Sequence, residues 1–146
     1  MRVSDLCDKG FLIGTGPDVT LRAAALRMAE EGVGCLIVVD RSGSMTGIIT
    51  DRDIVTRAVA LGLDPDVTLV SDAMSCAPIT VESTADIEDA AQLMREFGIR
   101  RLPVVEAHGK AIGIVTMEDI LRVVASSLRE LSNAVDVVRR AGIQSR

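Results

Sequence analysis

Residues 47–55 read Gly47-Ile48-Ile49-Thr50-Asp51-Arg52-Asp53-Ile54-Val55, and residues 113–121 read Gly113-Ile114-Val115-Thr116-Met117-Glu118-Asp119-Ile120-Leu121. Each stretch is a glycine, two β-branched apolar residues, a threonine, two variable positions, an aspartate and two aliphatics. The first half has the composition of a buried strand, and the second opens a helix. Thr-x-x-Asp fits a capping box, in which a hydroxyl and a carboxylate satisfy backbone N–H groups that a helix N-terminus leaves unpaired. The two copies lie 66 residues apart, and that offset organises the chain.

Shifted by 66 positions, residues 20–54 align with 86–120 without a gap and are identical at fourteen of thirty-five positions. Among them are Ala24/Ala90, Met28/Met94, Gly32/Gly98, Leu36/Leu102, Thr50/Thr116 and Asp53/Asp119. An earlier echo pairs Val3-Ser4-Asp5 with Val70-Ser71-Asp72, one residue out of register. The chain reads as a duplication, with repeats over 3–66 and 67–125 and a C-terminal extension over 126–146. The join falls near Leu63-Asp64-Pro65-Asp66.

Each repeat predicts strand, helix, strand, strand, helix, an α/β unit too small to stand comfortably alone. The helices start near Leu21 and Ile87, with core faces of Leu21, Ala24, Ala25 and Met28, and of Ile87, Ala90, Ala91 and Met94. They end at Gly32 and Gly98, residues suited to a left-handed C-terminal position. Cys35–Val39 and Leu102–Val105 are short and continuously apolar, as a strand buried on both faces is. Turns at Ser42-Gly43 and His108-Gly109 lead to strands over 46–50 and 112–116. Gly62 and Pro65 stop the helix after Asp53. The last helix continues, with Met117, Leu121, Val124, Leu128, Leu131, Val135 and Val138 at steps of four and three, until Gly142. That is the seam of a coiled coil, read here as a dimerisation helix in preference to one packed on its own domain.

Composition excludes several classes. The 146 residues are 48% hydrophobic and carry a net charge of −5, and the only aromatic residues are Phe11 and Phe97. A general nucleic-acid surface needs excess Lys/Arg and stacking aromatics, and both are missing. Cys7, Cys35 and Cys76 show no paired spacing and read as buried small side chains in a reducing compartment. With neither a signal core nor a bilayer-length apolar run, the chain reads as cytoplasmic. His108, the one histidine, falls in a turn and reads as exposed. No serine or cysteine has a histidine partner in the pattern, which argues against nucleophilic triads. Glu82, Asp86, Glu88 and Asp89 read as the acidic first turn of a helix, with no metal expected.

Capping alone accounts for the two threonine turns, and Ser83-Thr84-Ala85-Asp86 fits the same box without any ligand-like surroundings. Thr50 and Thr116 differ in following a buried strand and opening a helix. A helix N-terminus favours anions, and α/β sheets bind ligands beyond the carboxyl ends of their strands. Gly47 and Gly113 leave room for another backbone or for a flat ring. The hydroxyl can donate to a phosphate, and the aspartate can accept from paired ribose hydroxyls.

The duplication, the repeated turn and the segment Gly98-Ile99-Arg100-Arg101-Leu102-Pro103-Val104-Val105 resemble a pair of CBS domains, the module named after cystathionine β-synthase. The resemblance runs from about residue 3 to residue 125. It implies two β-α-β-β-α repeats packed about a pseudo-twofold axis, with two clefts that bind adenosine ligands such as AMP, ADP, ATP or S-adenosylmethionine, in modules that commonly dimerise. Carried onto this chain, one cleft is expected on Thr116 and Asp119, with Arg100 and Arg101 at the phosphates and the adenine near Ile13, Val33 and Gly34. The other is expected on Thr50 and Asp53, with the base near Ile79 and Ile99. Its counterparts of the two arginines are Gly34 and Cys35, and Arg52 either substitutes for them or pairs with Asp51 or Asp53. The Thr116 cleft is therefore expected to grip harder. The function implied is a regulatory adenine-nucleotide sensor that is no enzyme, acts as a homodimer and controls a separate protein. The alternatives are a ligand-free structural dimer and, less favoured for want of a base, a nucleotide hydrolase.

Overall fold

The computed structural model describes residues 1–7 and 13–144, so Phe11 lies outside the described residues. The first repeat contains β1 (Gly14–Thr15), α1 (Leu21–Glu31), β2 (Cys35–Val39), β3 (Met45–Thr50) and α2 (Asp51–Ile54), which runs on as a π-turn over Val55–Val59. Then follow α3 (Val70–Ala73), β4 (Ser75–Cys76), β5 (Val81–Glu82), α4 (Ile87–Phe97), β6 (Arg101–Val105), β7 (Ala111–Thr116) and α5 (Met117–Gln144). The strands form two sheets, β1-β2-β3-β4 and β5-β6-β7. In both, the first pair is parallel and the next antiparallel. The fold is α/β, in two matched repeats.

Local chemistry explains the match. Leu21, Ala24 and Met28 bury one face of α1, and Ile87, Ala90 and Met94 bury the same face of α4. Ala91, expected on that face, is exposed, because the stripe steps from Ala90 to Met94 and Leu93 packs beside it. Gly32 and Gly98 take φ of +65° and +63°, which a side chain would disfavour. The reversed turn lets the N–H of Val33 reach the Met28 carbonyl, and that of Ile99 the Met94 carbonyl, both at 3.0 Å. The α4 cap differs from expectation. The helix is capped at Asp86, whose N–H donates to Asp89 at 3.2 Å, while the N–H of Ser83 is taken by the Val105 carbonyl at 2.9 Å. Strand pairing thus removes Ser83 from the cap.

The early echo in the sequence marks an exchange between the repeats. Val3 and Cys7 sit in the core of the second repeat with Met94, Leu102 and Val115. Val70 and Ala73 sit in the core of the first with Leu21, Leu36 and Ile49. The hydrogen bonds match one for one. Val3 N–H donates to the Ala85 carbonyl at 2.8 Å and Ser4 N–H to that of Ser83 at 3.0 Å. Val70 N–H donates to the Val19 carbonyl at 2.8 Å and Ser71 N–H to that of Pro17 at 2.9 Å. β4 then adds a fourth strand to the first sheet through Gly47↔Cys76 and Ile48↔Ser75. Cys76, expected to be buried, lies exposed on this short edge strand, whereas Cys7 and Cys35 are buried.

The exchanged segments explain the glycine that opens each motif. A Cβ on Gly47 would lie 2.7 Å from the Ser75 carbonyl oxygen and 2.8 Å from the Met74 sulfur. One on Gly113 would lie 2.8 Å from the Cys7 sulfur. Of the two occupants foreseen, it is chain and not a ring that takes the space.

α5 runs past Gly142 to Gln144, because glycine weakens an exposed helix without forcing it to end. Beyond Ile120 the helix leaves the core, and Leu121, Val124, Leu128, Leu131, Val135 and Val138 are all exposed. Gly47→Ala, which drives a methyl into backbone, is expected to lower stability by about 1–3 kcal/mol in a denaturant titration. Gly142→Ala, whose methyl meets nothing, is the control and is expected not to lower it.

Candidate functional site

Both threonine turns form the capping boxes their spacing predicts. Asp53 N–H donates to Thr50 Oγ1 at 3.1 Å, and Thr50 N–H to Asp53 Oδ2 at 2.9 Å. In the second copy the distances are 3.1 Å and 3.0 Å, and Thr116 Oγ1 also donates to Asp119 Oδ2 at 2.7 Å. The box consumes Oδ2 of each aspartate and leaves Oδ1 turned elsewhere. Asp53 Oδ1 lies 3.8 Å from Arg57 Nε, and Asp119 Oδ1 lies 3.6 Å from an Arg122 terminal nitrogen. Sheet register brings each turn to its place. Thr50 lies opposite Cys35 and Thr116 opposite Arg101, while the next N–H groups, of Asp51 and Met117, reach the carbonyls of Gly34 and Arg100 at 3.0 and 2.9 Å.

Two clefts result, each between one repeat's turn and the strip that precedes the other repeat's first long strand. The larger, about 800 Å³, sets Thr50, Arg52 and Asp53 against Ile79, Ile99, Arg100 and Arg101. Ser75, Ala77, Pro78 and Glu118 are also in its wall. The smaller, about 420 Å³, sets Thr116 and Asp119 against Ile13, Val33, Gly34 and Cys35, with Leu6 and Ile114 beside them. Both volumes lie in the range of small-molecule sites. Arg101 lines both.

The aliphatic strips fall where the sequence places them, as do Arg52 in the Thr50 cleft and Arg101 in the Thr116 cleft, but Arg100 does not. Arg100, expected beside Thr116, lines the Thr50 cleft. Its carbonyl accepts from Met117 N–H in its own repeat, while the residue lines the cleft of the other repeat's turn, as Val33 and Gly34 do from the first repeat. The asymmetry between copies therefore survives with its sign reversed: the Thr50 cleft has Arg52, Arg100 and Arg101, and the Thr116 cleft has Arg101 alone. None of these three guanidinium groups has an ion-pair partner within 4.0 Å among the described residues. The Arg52 side chain thus pairs with neither Asp51 nor Asp53; its backbone N–H donates to Asp51 Oδ1 at 2.8 Å.

Between the clefts, an Asp51 oxygen and an Arg101 nitrogen stand 3.1 and 3.6 Å from where a Gly34 Cβ would be. Any side chain at 34 would crowd them. Cys35 lies beside this pair. Burial pushes its thiol up, the positive charge of Arg101 opposes that shift and the negative charge of Asp51 adds to it. Leu6, Ser75, Ala77 and Pro78 were not foreseen. They belong to the exchanged segments and the chain that follows β4, and the Val-Ser-Asp echo was their one trace in the sequence. Among the described residues, no group of three or more His, Cys, Asp and Glu is placed to hold a metal, and no helix is long and apolar enough to cross a membrane.

Thiol chemistry tests this arrangement. Iodoacetamide at neutral pH is expected to modify Cys76 first, since a buried thiol with a raised pKa supplies little thiolate. Cys35 is expected to react at least tenfold more slowly and to accelerate as pH rises. Peptide mass spectrometry over a time course reads both rates.

The family model for the CBS domain matches residues 3–60 and again 70–126. An uncharacterised protein of Methanopyrus kandleri is 41% identical over 121 residues, which are 83% of this chain and 61% of that protein's length. The chain thus spans about three fifths of that relative. A CBS domain protein of Pyrobaculum aerophilum complexed with AMP superimposes with a TM-score of 0.75 at 29% identity, covering 82% of this chain and 89% of that one. A CBS domain pair in complex with 5′-methylthioadenosine and S-adenosyl-L-methionine gives a TM-score of 0.77 at 28% identity, over 87% of this chain and 98% of that one.

Proposed function

Because the chain belongs to the CBS domain family, with two copies in tandem, we propose that it is a regulatory adenine-nucleotide-binding module acting on a separate protein. The observation that carries this reading is the Thr50 cleft. A capped Thr-x-x-Asp turn faces an aliphatic strip across the interface, and three arginines without ion-pair partners among the described residues line the same space. An adenine packs against Ile79 and Ile99, the ribose hydroxyls donate to Asp53 Oδ1, and phosphates meet the forks of Arg52, Arg100 and Arg101. The Thr116 cleft offers the same ribose acceptor in Asp119 and an adenine wall in Ile13, Val33 and Gly34. With Arg101 as its one arginine, it holds a phosphorylated ligand less firmly. AMP, ADP and ATP are the ligand class, in line with the adenosine compounds held by similar proteins.

Each cleft takes one wall from each repeat, so occupancy favours one arrangement of the pair over others, and that difference is the signal. The module binds and reports without converting its ligand. The exposed seam of α5 pairs with that of a second copy, making a homodimer whose coiled coil carries the seam out of water. The thiols of Cys35 and Cys76, neither of them in a disulfide, suit the reducing cytoplasm.

The chain contains no Trp or Tyr, so a nucleotide retained through purification dominates the absorbance near 260 nm, and mass spectrometry of an acid extract identifies it. Arg100→Gln is expected to weaken AMP binding about tenfold, the loss of one charge-assisted contact, and to leave adenosine binding unchanged. Titration calorimetry with the two ligands decides; equal loss for both rules out a phosphate role for Arg100. If no adenosine compound binds or raises the melting temperature, the sensor reading fails. Leu128→Glu, in the middle of the seam, is expected to turn a dimer into a monomer in light scattering while leaving AMP affinity in place.

A further inference from the structure

Arg57 lines neither cleft, yet it joins three parts of the larger one. It sits in the π-turn that follows α2, a distortion that recurs at functional sites. One terminal nitrogen donates to the carbonyls of Ala73 at 3.1 Å and Met74 at 3.2 Å, with the Ser75 hydroxyl at 3.5 Å. Its Nε lies 3.8 Å from Asp53 Oδ1, the oxygen that the capping box leaves over. Residues 73–75 belong to the exchanged segment, and the chain runs from them through Ala77 to Ile79 in the cleft wall. Ala77 has a φ of +46°, a left-handed conformation that non-glycine residues seldom adopt. The backbone at this crossover is thus held in an unusual shape, and Arg57 fastens it just upstream.

The second repeat carries no arginine at the place of Arg57. Val123 occupies the equivalent position. Arg122 pairs with Asp119, and its side chain donates to no backbone carbonyl among the described residues. Among the described residues, Asp53 is the one cleft aspartate paired with an arginine that also holds carbonyls of an exchanged segment.

We propose that Arg57 is a positioning residue that aims Asp53 at the ligand's paired hydroxyls and links that carboxylate to the 73–79 crossover. Occupancy of the Thr50 cleft then orders the connection between the repeats. This rests on the adenine-nucleotide reading and deepens it. In an Asp119→Ala background, which leaves the Thr50 cleft as the intact site, Arg57→Gln is expected to raise the Kd for AMP about tenfold in titration calorimetry. Arg57→Lys keeps a positive charge near Asp53 without the guanidinium geometry, and is expected to fall between.

Hydrogen exchange supplies the readout that a purely structural role would not move. AMP is expected to slow exchange at residues 74–79 in the parent and in Arg57→Lys, and to have no such effect in Arg57→Gln. Arg57→Gln that keeps the parent's Kd and its AMP-dependent protection overturns the proposal. Loss of AMP-dependent protection with an unchanged Kd overturns the positioning of Asp53. Failure of the unmodified chain to bind AMP defeats the nucleotide reading and this proposal with it, and is distinguished by the parent failing along with the variant.

Discussion

The contact of Gly47 with Ser75 and Met74, matched by that of Gly113 with Cys7, is the constraint on which the rest depends. A strand that admits neighbouring chain this closely cannot carry a side chain there. What it admits is a segment whose sequence position belongs with the other repeat. Val70 and Ala73 fill one core, and Val3 and Cys7 fill the other. The repeats are thus held by shared interior as well as by contact at a surface, and the spacing across their interface follows from it. The clefts exist because that interface is fixed while the strips before β2 and β6 face across it.

Within this symmetry, the two copies differ at a pair of positions that line the clefts. Gly34 and Cys35 occupy the places that Arg100 and Arg101 occupy in the second copy. The exchange of a small pair for a cationic one enlarges the charge of one cleft and bares the backbone of the other. At the dividing wall Asp51, Arg101 and Cys35 meet, and of these Arg101 lines both clefts. The aspartates show the same theme at finer scale: both spend one oxygen on the helix cap, and what holds the second oxygen differs between copies.

What the sequence made legible is what local physics determines. Capping boxes, glycine caps, helix faces and apolar strands all follow from residues within one or two turns of each other, and the duplication checked each expectation twice. The aliphatic strips of both clefts were legible too, because a repeat at constant spacing implies a symmetry axis. Of the features that escaped, three have causes far along the chain or across the interface. The destination of the Arg100 side chain depends on which way a strand's entry faces across an interface, and spacing alone carries no such information. The cap at Asp86 rather than Ser83 was decided by a hydrogen bond to Val105, far along the chain. The exchanged segments rest on pairings such as Val3 with Ala85, whose only local trace was three residues one step out of register.

The exchange also says what kind of object this chain is. Two separate single repeats that traded their first few residues would make every contact described here: Val3 on one body would do for its partner what Val70 does in return. Such a pair would be a domain-swapped homodimer. The tether through residues 60–68 turns that intermolecular embrace into an intramolecular one and raises the effective concentration of each half for the other. Once the halves travel together, they no longer need to be identical. The arginines of one copy and the glycine and cysteine of the other are the kind of divergence that a symmetric dimer of identical chains cannot have.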